Sequence, residues 1–285
     1  MNQTILTEGK LLENGKLAQA GYSTKTVRRY DRKDIIGHKW RIKEWDYYII
    51  TDGKKAVALT VADNSYMSLV SASFLDFSKP CYKTTSEMKF FTFGKTGLPS
   101  CPEEGNIEYK SKRVQMSFTK EANRRVLECK FGDFWDKTDF ECRFVLDEFP
   151  RDQMTIATPF NKPYAFYYNT KINCMRASGY CIVKGQCYDF DEQNSLGTLD
   201  WGRGIWTYKN TWYWSSLQTR LEDGRTFGFN LGYGFGDTSA ASENMVFVDG
   251  IAHKLDRVVF NIPQANGKDN FMDYWTITDN ENRLN

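Results

Sequence analysis

Within residues 199–214, Leu-Asp-Trp-Gly-Arg-Gly-Ile-Trp-Thr-Tyr-Lys-Asn-Thr-Trp-Tyr-Trp, four of the chain's eight tryptophans stand beside two tyrosines, one carboxylate, Asp200, and one guanidinium, Arg203. Indole rings are costly to leave in water, so this density implies either a filled core or the wall of a cavity that an apolar molecule enters. The interleaved polar groups favour the wall, because a pure core would have to find a partner for each of them. Asp200 could donate a proton if its indole surroundings keep the carboxyl neutral, and Trp206, Trp212 and Trp214 could steady a passing carbocation through their π faces. An ion pair with Arg203 would instead hold Asp200 ionised and make both residues structural.

A second stretch with chemical content is Gly-Phe-Asn-Leu-Gly-Tyr-Gly-Phe-Gly-Asp at 228–237. Read as a strand, it puts Phe229, Leu231, Tyr233 and Phe235 on one face and Gly228, Asn230, Gly232, Gly234 and Gly236 on the other. The bare face invites close approach by something bulky, either a ligand or the neighbouring tryptophans. The loop that follows offers Asp237, Ser239, Glu243 and Asn244 to a ligand at a barrel mouth, against the plainer role of bonding its own turn. His253 is the only histidine of the second half and could serve as a general acid or base. The candidates are therefore Asp200 and His253 for catalysis, with Arg203, Trp206, Tyr208, Trp212, Trp214, Asn230, Asp237 and Glu243 for ligand contact. In the first half, Glu44 and Asp46 share a strand face opposite Lys43, Trp45 and Tyr47, and pairing with a cation from a neighbouring element is their expected fate.

Positioning these residues falls to a meander of hairpins. Short β-branched and aromatic runs are closed by Asp-Gly, Asp-Asn or Lys-Gly turns, as where Trp40 to Ile50 leads through Thr51-Asp52-Gly53 into Ala56 to Ala62. No long segment keeps helical apolar spacing, so helices should be few and short. A mainly β chain with many even strands suits barrels or sandwiches. Pro150, Pro159 and Pro163 interrupt the rhythm, which predicts two β domains, 1–155 and 156–285.

Composition removes several classes. The balance of 38 basic against 36 acidic residues leaves +2, too little overall field for a nucleic-acid backbone or an anionic membrane. No apolar run approaches a membrane span and no basic-then-apolar leader opens the chain, which points to the cytoplasm. Seven cysteines are odd in number and nowhere spaced C-x-x-C, arguing against a disulfide framework and a zinc ribbon. No cofactor motif is present: there is no P-loop, and the glycines alternate along a strand instead of opening a helix as a dinucleotide site requires.

The strings Lys-Glu-Trp-Asp-Tyr-Tyr (43–48), Phe-Tyr-Tyr-Asn-Thr-Lys-Ile-Asn (166–173), Leu-Asp-Trp-Gly-Arg-Gly-Ile-Trp-Thr-Tyr (199–208) and Gly-Phe-Gly-Asp-Thr-Ser-Ala-Ala-Ser-Glu-Asn (234–244) resemble the signature blocks of domain-of-unknown-function family 2804. That family is itself similar to a lipocalin-like group containing bacterial carotenoid 1,2-hydratases, tocopherol cyclases and fungal cyclisation enzymes. The resemblance implies two lipocalin-like antiparallel β domains with a ligand held between or within them. It also implies chains that continue past this one's last residue, so the second domain is expected either to be incomplete at its C-terminal end or to self-associate through an open edge near Phe271 to Thr278. The leading expectation is binding of an apolar small molecule, lipid or isoprenoid-like, with acid-catalysed hydration, cyclisation or isomerisation as the accompanying chemistry. The alternatives are a carbohydrate-binding or carbohydrate-active β protein, and a non-catalytic scaffold module.

Overall fold

The computed structural model describes residues 3–284, and nearly every element in it is a β-strand. Its largest element is a 13-stranded sheet. Along the main path the strands run Ile107–Lys110, Val114–Glu121, Arg124–Trp135, Thr138–Asp147, Phe166–Val183, Leu196–Ile205, Ile42–Thr51, Lys55–Asp63, Met67–Asp76 and Cys81–Phe90. The sheet curls into a half-barrel whose two edges approach through side chains instead of a ladder. Tyr109 Oη donates to Glu87 at 2.6 Å and Thr85 Oγ1 to the Phe134 carbonyl at 2.7 Å.

The local sequence explains these strands. In Ile42–Thr51 burial alternates at every position, with Ile42, Glu44, Asp46, Tyr48 and Ile50 facing the barrel core. The Asp52 carboxylate then accepts from the Lys54 and Lys55 amides, and Gly53 takes φ +81°, closing the hairpin to Lys55–Asp63 at the expected Asp-Gly turn. Phe118, Phe131, Phe140 and Phe144 fill the opposite wall, so the barrel is a packed core.

Phe166–Val183 is the central beam. On one side it pairs with Thr138–Asp147 and Met154–Pro159, on the other with Leu196–Ile205 and Gln186–Phe190. Its register shifts between Ile172 and Met175, where Cys174 adopts φ 62°, and this bend lets one strand serve two neighbours on each edge.

A second sheet, Tyr213–Arg220, Thr226–Tyr233, Met245–Val248 and Ile251–Lys254, lies over the outer face of the beam, followed by a ribbon of Val258–Asn261 with Thr276–Asp279. Gly228 and Gly232 face the space between the layers. A Cβ at Gly228 would stand 2.7 Å from Cys174 Sγ, and one at Gly232 would stand 2.5 Å from Glu243 Oε1. The bulky object that the bare face admits is thus the beam together with Glu243. All seven cysteines are unpaired, and among the described residues no helix is long and apolar enough to cross a membrane.

Candidate functional site

Because side chains alternate along a strand, Asp200 and Arg203, three residues apart, point to opposite faces of one sheet. Arg203 enters the barrel core, where it donates to Asp46 Oδ1 at 2.9 Å, to the Pro99 carbonyl at 2.7 Å and to the Trp45 carbonyl at 2.7 Å. Trp201 is on the same side, its ring centroid 4.2 Å from the Arg203 guanidinium carbon. The Asp200–Arg203 pair envisaged from the sequence does not form. The four tryptophans of 199–214 accordingly serve two different interiors.

Asp200 faces the space between the layers. Lys171 stands directly across the ladder from it, and Lys171 Nζ lies 2.6 Å from Asp200 Oδ2. The other oxygen accepts from Asn169 Nδ2 at 2.7 Å and from Trp45 Nε1 at 3.1 Å. Gly202 permits this arrangement, since a Cβ there would stand 2.1 Å from the Trp45 ring.

From the second layer, Glu243 accepts from Trp212 Nε1 at 2.7 Å and from Asn230 Nδ2 at 3.2 Å, while Trp214 Nε1 donates to Asn230 Oδ1 at 2.7 Å. Lys171 links the two halves: its ammonium sits 4.5 Å from the Trp214 ring centroid and 5.3 Å from that of Trp212. Tyr167, Trp206 and Phe235 complete the wall, Phe235 stacked on Trp212 with centroids 4.8 Å apart.

Burial governs the electrostatics. It raises the Glu243 carboxyl above its ordinary range, and Asp200 adds to this, against the opposing pull of Lys171, Trp212 and Asn230. Burial also lifts the Tyr167 phenol well above its usual value, with Asp200 and Glu243 raising it further. Tyr47 is pushed up to about 12 by burial and then by Asp200. Several buried polar atoms here have no hydrogen-bond partner: Tyr167 Oη, Asn169 Oδ1 and Asn173 Oδ1. Native interiors rarely leave such groups unmatched, and each exception calls for an explanation such as a bound water, an ion, strain or a catalytic role.

Of the residues singled out from the sequence, the interlayer unites Asp200, Trp206, Trp212, Trp214, Asn230 and Glu243. Tyr208 is exposed beyond the end of Leu196–Ile205. Asp237 is exposed too, and its carboxylate accepts from the Ser239 amide at 3.0 Å, a turn-bonding role that holds its pKa down. His253 is exposed on the edge strand Ile251–Lys254. Sequence reading missed Lys171, Tyr167, Asn169 and Trp45. Their signal was the alternation Tyr167, Asn169, Lys171, Asn173, a polar stripe along one face of an otherwise apolar strand.

A half-barrel of this size, with a second antiparallel sheet closing over a polar cluster, is a lipocalin-like architecture. The chain belongs to the family described as a domain of unknown function, DUF2804, whose profile matches residues 2–285. Among solved structures it is similar to an AttH candidate from Nitrosomonas europaea, at 12% identity and TM-score 0.50, covering 85% of this chain and 78% of that one. It is also similar to kievitone hydratase from Nectria haematococca, at 12% identity and TM-score 0.45, covering 84% of this chain and 72% of that one. No curated protein matches the sequence.

Proposed function

We propose that the protein holds an apolar, unsaturated small molecule of lipid or isoprenoid type between its two layers and moves a proton on it, hydration being the reaction its groups fit best. The observation that carries this reading is the meeting of a carboxyl raised by burial, Glu243, with unpartnered Tyr167 Oη, Asn169 Oδ1 and Asn173 Oδ1 inside an aromatic wall. A carboxyl raised in this way keeps its proton nearer to neutral pH and can donate it. In this reading Glu243 protonates one alkene carbon, and the positive charge left on the adjacent carbon faces Tyr167, Trp212 and Trp214. Water adds to that carbon and releases a proton to the Asp200 carboxylate, which Lys171 and Asn169 hold in place. Loss of a proton from a neighbouring carbon instead of water addition would give the isomerised alkene.

A carbohydrate site would set its two carboxylates across an open groove. Asp200 and Glu243 are both buried, which favours the apolar ligand. A cytoplasmic location and contact between copies through the ribbon bearing exposed Phe271, Met272, Tyr274 and Trp275 also belong to this reading. Sedimentation of the purified chain at several concentrations tests the last of these.

Mass spectrometry of an organic extract of the purified protein tests the central claim. We expect an apolar unsaturated molecule from both wild type and Glu243→Gln. After incubation in deuterium oxide, carbon-bound deuterium should appear in the wild-type extract alone. No retained molecule, together with tryptophan fluorescence indifferent to added isoprenoid alcohols, would remove the binding claim; equal deuterium in both proteins would remove Glu243 as the acid.

A further inference from the structure

The near-neutral total charge hides a local asymmetry. At the strand end where Pro159, Phe166, Ile205 and Ile42 stand in register, the segments 36–43, 64–67, 89–95, 160–165 and 206–211 come together. These five segments carry lysine or arginine at seven positions and no aspartate or glutamate at all, in a chain with 38 basic and 36 acidic residues. Asp31 and Asp34, just upstream, line a different depression with Arg28, Arg29 and Glu104.

The same end exposes large apolar groups. Ile36 is 62% accessible, Trp40 54% and Phe91 61%. Trp40 packs edge-on against Phe93 and Phe91, with ring centroids 4.7 and 5.9 Å away, so these rings form one exposed aromatic knob. Beside the knob lies a depression of about 410 Å³ lined by Ile36, His38, Arg41, Lys162, Tyr164 and Trp206. One of its lining residues, Trp206, also packs in the interlayer cluster, its ring centroid 5.5 Å from that of Trp45.

We infer that this end docks on the surface of an anionic lipid bilayer, with Trp40, Phe91 and Ile36 entering the headgroup boundary and the surrounding lysines meeting phosphates. Amphipathic rings favour that boundary, and basic side chains close to it are drawn by the negative surface potential. A second copy of the chain fits poorly, because it would bring like charges face to face. A single-stranded nucleic acid would need open ring faces in a groove, whereas these rings pack against one another in a knob. A bilayer accepts an exposed apolar cluster without a shaped partner. The docking surface stands on its own residues and does not depend on the chemistry proposed above, although it would present an apolar molecule beside Trp206.

Flotation of the full chain with vesicles tests this directly. We expect association with phosphatidylglycerol-rich vesicles at low salt, little with pure phosphatidylcholine, and release as salt rises. Trp40→Ala combined with Phe91→Ser, and separately Lys39→Glu combined with Lys162→Glu, should each lower the bound fraction about tenfold, as expected when one of two membrane signals is lost. These positions are exposed, and an unchanged thermal midpoint confirms that the variants fold. Lys130→Glu, on the outer barrel wall, controls for charge alone and should leave binding intact. Absence of vesicle association at low salt would overturn the inference. So would equal loss in the Lys130→Glu control, a dimer that Trp40→Ala dissolves, or retention by single-stranded oligonucleotide in place of vesicles.

Discussion

Two buried ionic clusters lie back to back on the same strands, and they differ in how completely they are satisfied. On the barrel side the Arg203 guanidinium ends on fixed acceptors: Asp46, the Pro99 carbonyl, and the carbonyls of Trp45 and Gly202. Arg125 repeats the pattern, donating to Tyr48 Oη at 3.1 Å and the Pro102 carbonyl at 3.0 Å, so the 92–106 loop is laced across the barrel end. What is left over there is Trp201 Nε1 and Asp46 Oδ2, the latter 3.8 Å from Lys120. On the interlayer side, Lys171 meets one carboxylate and two indole faces while three oxygens beside it meet nothing. The barrel network ties the 92–106 loop to the sheet and leaves two atoms over; the interlayer network leaves three oxygens over.

The largest expected effect of separating the two is on stability. Arg203→Met leaves Asp46 buried without its main partner and frees the Pro99 turn, so we expect a loss of about 3–5 kcal/mol in chemical denaturation. A loss below about 1 kcal/mol would show that the barrel cluster is no clamp. Lys171→Met should cost less, about 2–3 kcal/mol, because Asp200 keeps its bonds from Trp45 and Asn169. Adding Asp200→Asn to Lys171→Met should recover part of that loss, since the buried charge is then gone. Failure to recover would mean that Lys171 acts through packing alone.

How much of this was legible in the sequence depended on whether the information was local. Hairpins closed by Asp-Gly turns were legible, because Asp52 and Gly53 build their turn from their own backbone bonds. The mainly β class and the two-face reading of 43–48 follow from strict alternation, and Glu44 and Asp46 do find cations, in Arg32 and Arg203. Long-range partners were not legible. Nothing near Asp200 in the chain names Lys171 as its partner, because register across a ladder is set by the whole sheet. Trp201 was grouped with Trp206 by proximity, although the two positions have opposite parity along the strand. The glycine face was readable as a site of close approach but not as the seat of Glu243, which comes from a loop with no period of its own.

Glu243 separates the clusters by pH. Burial holds its folded pKa above that of the unfolded chain, so between those values the native state binds more protons than the unfolded one. Its contribution to stability is therefore fully present below the ordinary glutamate value and is lost as pH rises through the folded value. Glu243→Gln keeps an oxygen for Trp212 Nε1 and is neutral throughout, so it should flatten that decline across the window. Unfolding midpoints from about pH 4 upward measure it. An unchanged slope would assign the proton to another group.

The smallest effect belongs to charges on the outer wall, and it tests whether burial is what distinguishes the two clusters. Lys130 and Glu141 stand directly opposite each other in the ladder, with Nζ and Oε2 3.3 Å apart, Lys130 exposed and Glu141 half-exposed. Their Coulomb attraction is weakened by water, and holding two long side chains in place costs entropy of similar size. Glu141→Gln should therefore change stability by less than about 0.5 kcal/mol, and added salt should shrink the difference further. The Arg203→Met loss, by contrast, should be almost indifferent to salt, because Arg203 and Asp46 are both fully buried and counterions cannot reach them. If Glu141→Gln proved as damaging as Arg203→Met, or if both losses faded together in salt, stabilisation by charge would be a property of the sheet as a whole. The contrast between the barrel cluster and the interlayer cluster would then say nothing about the proposed interlayer site.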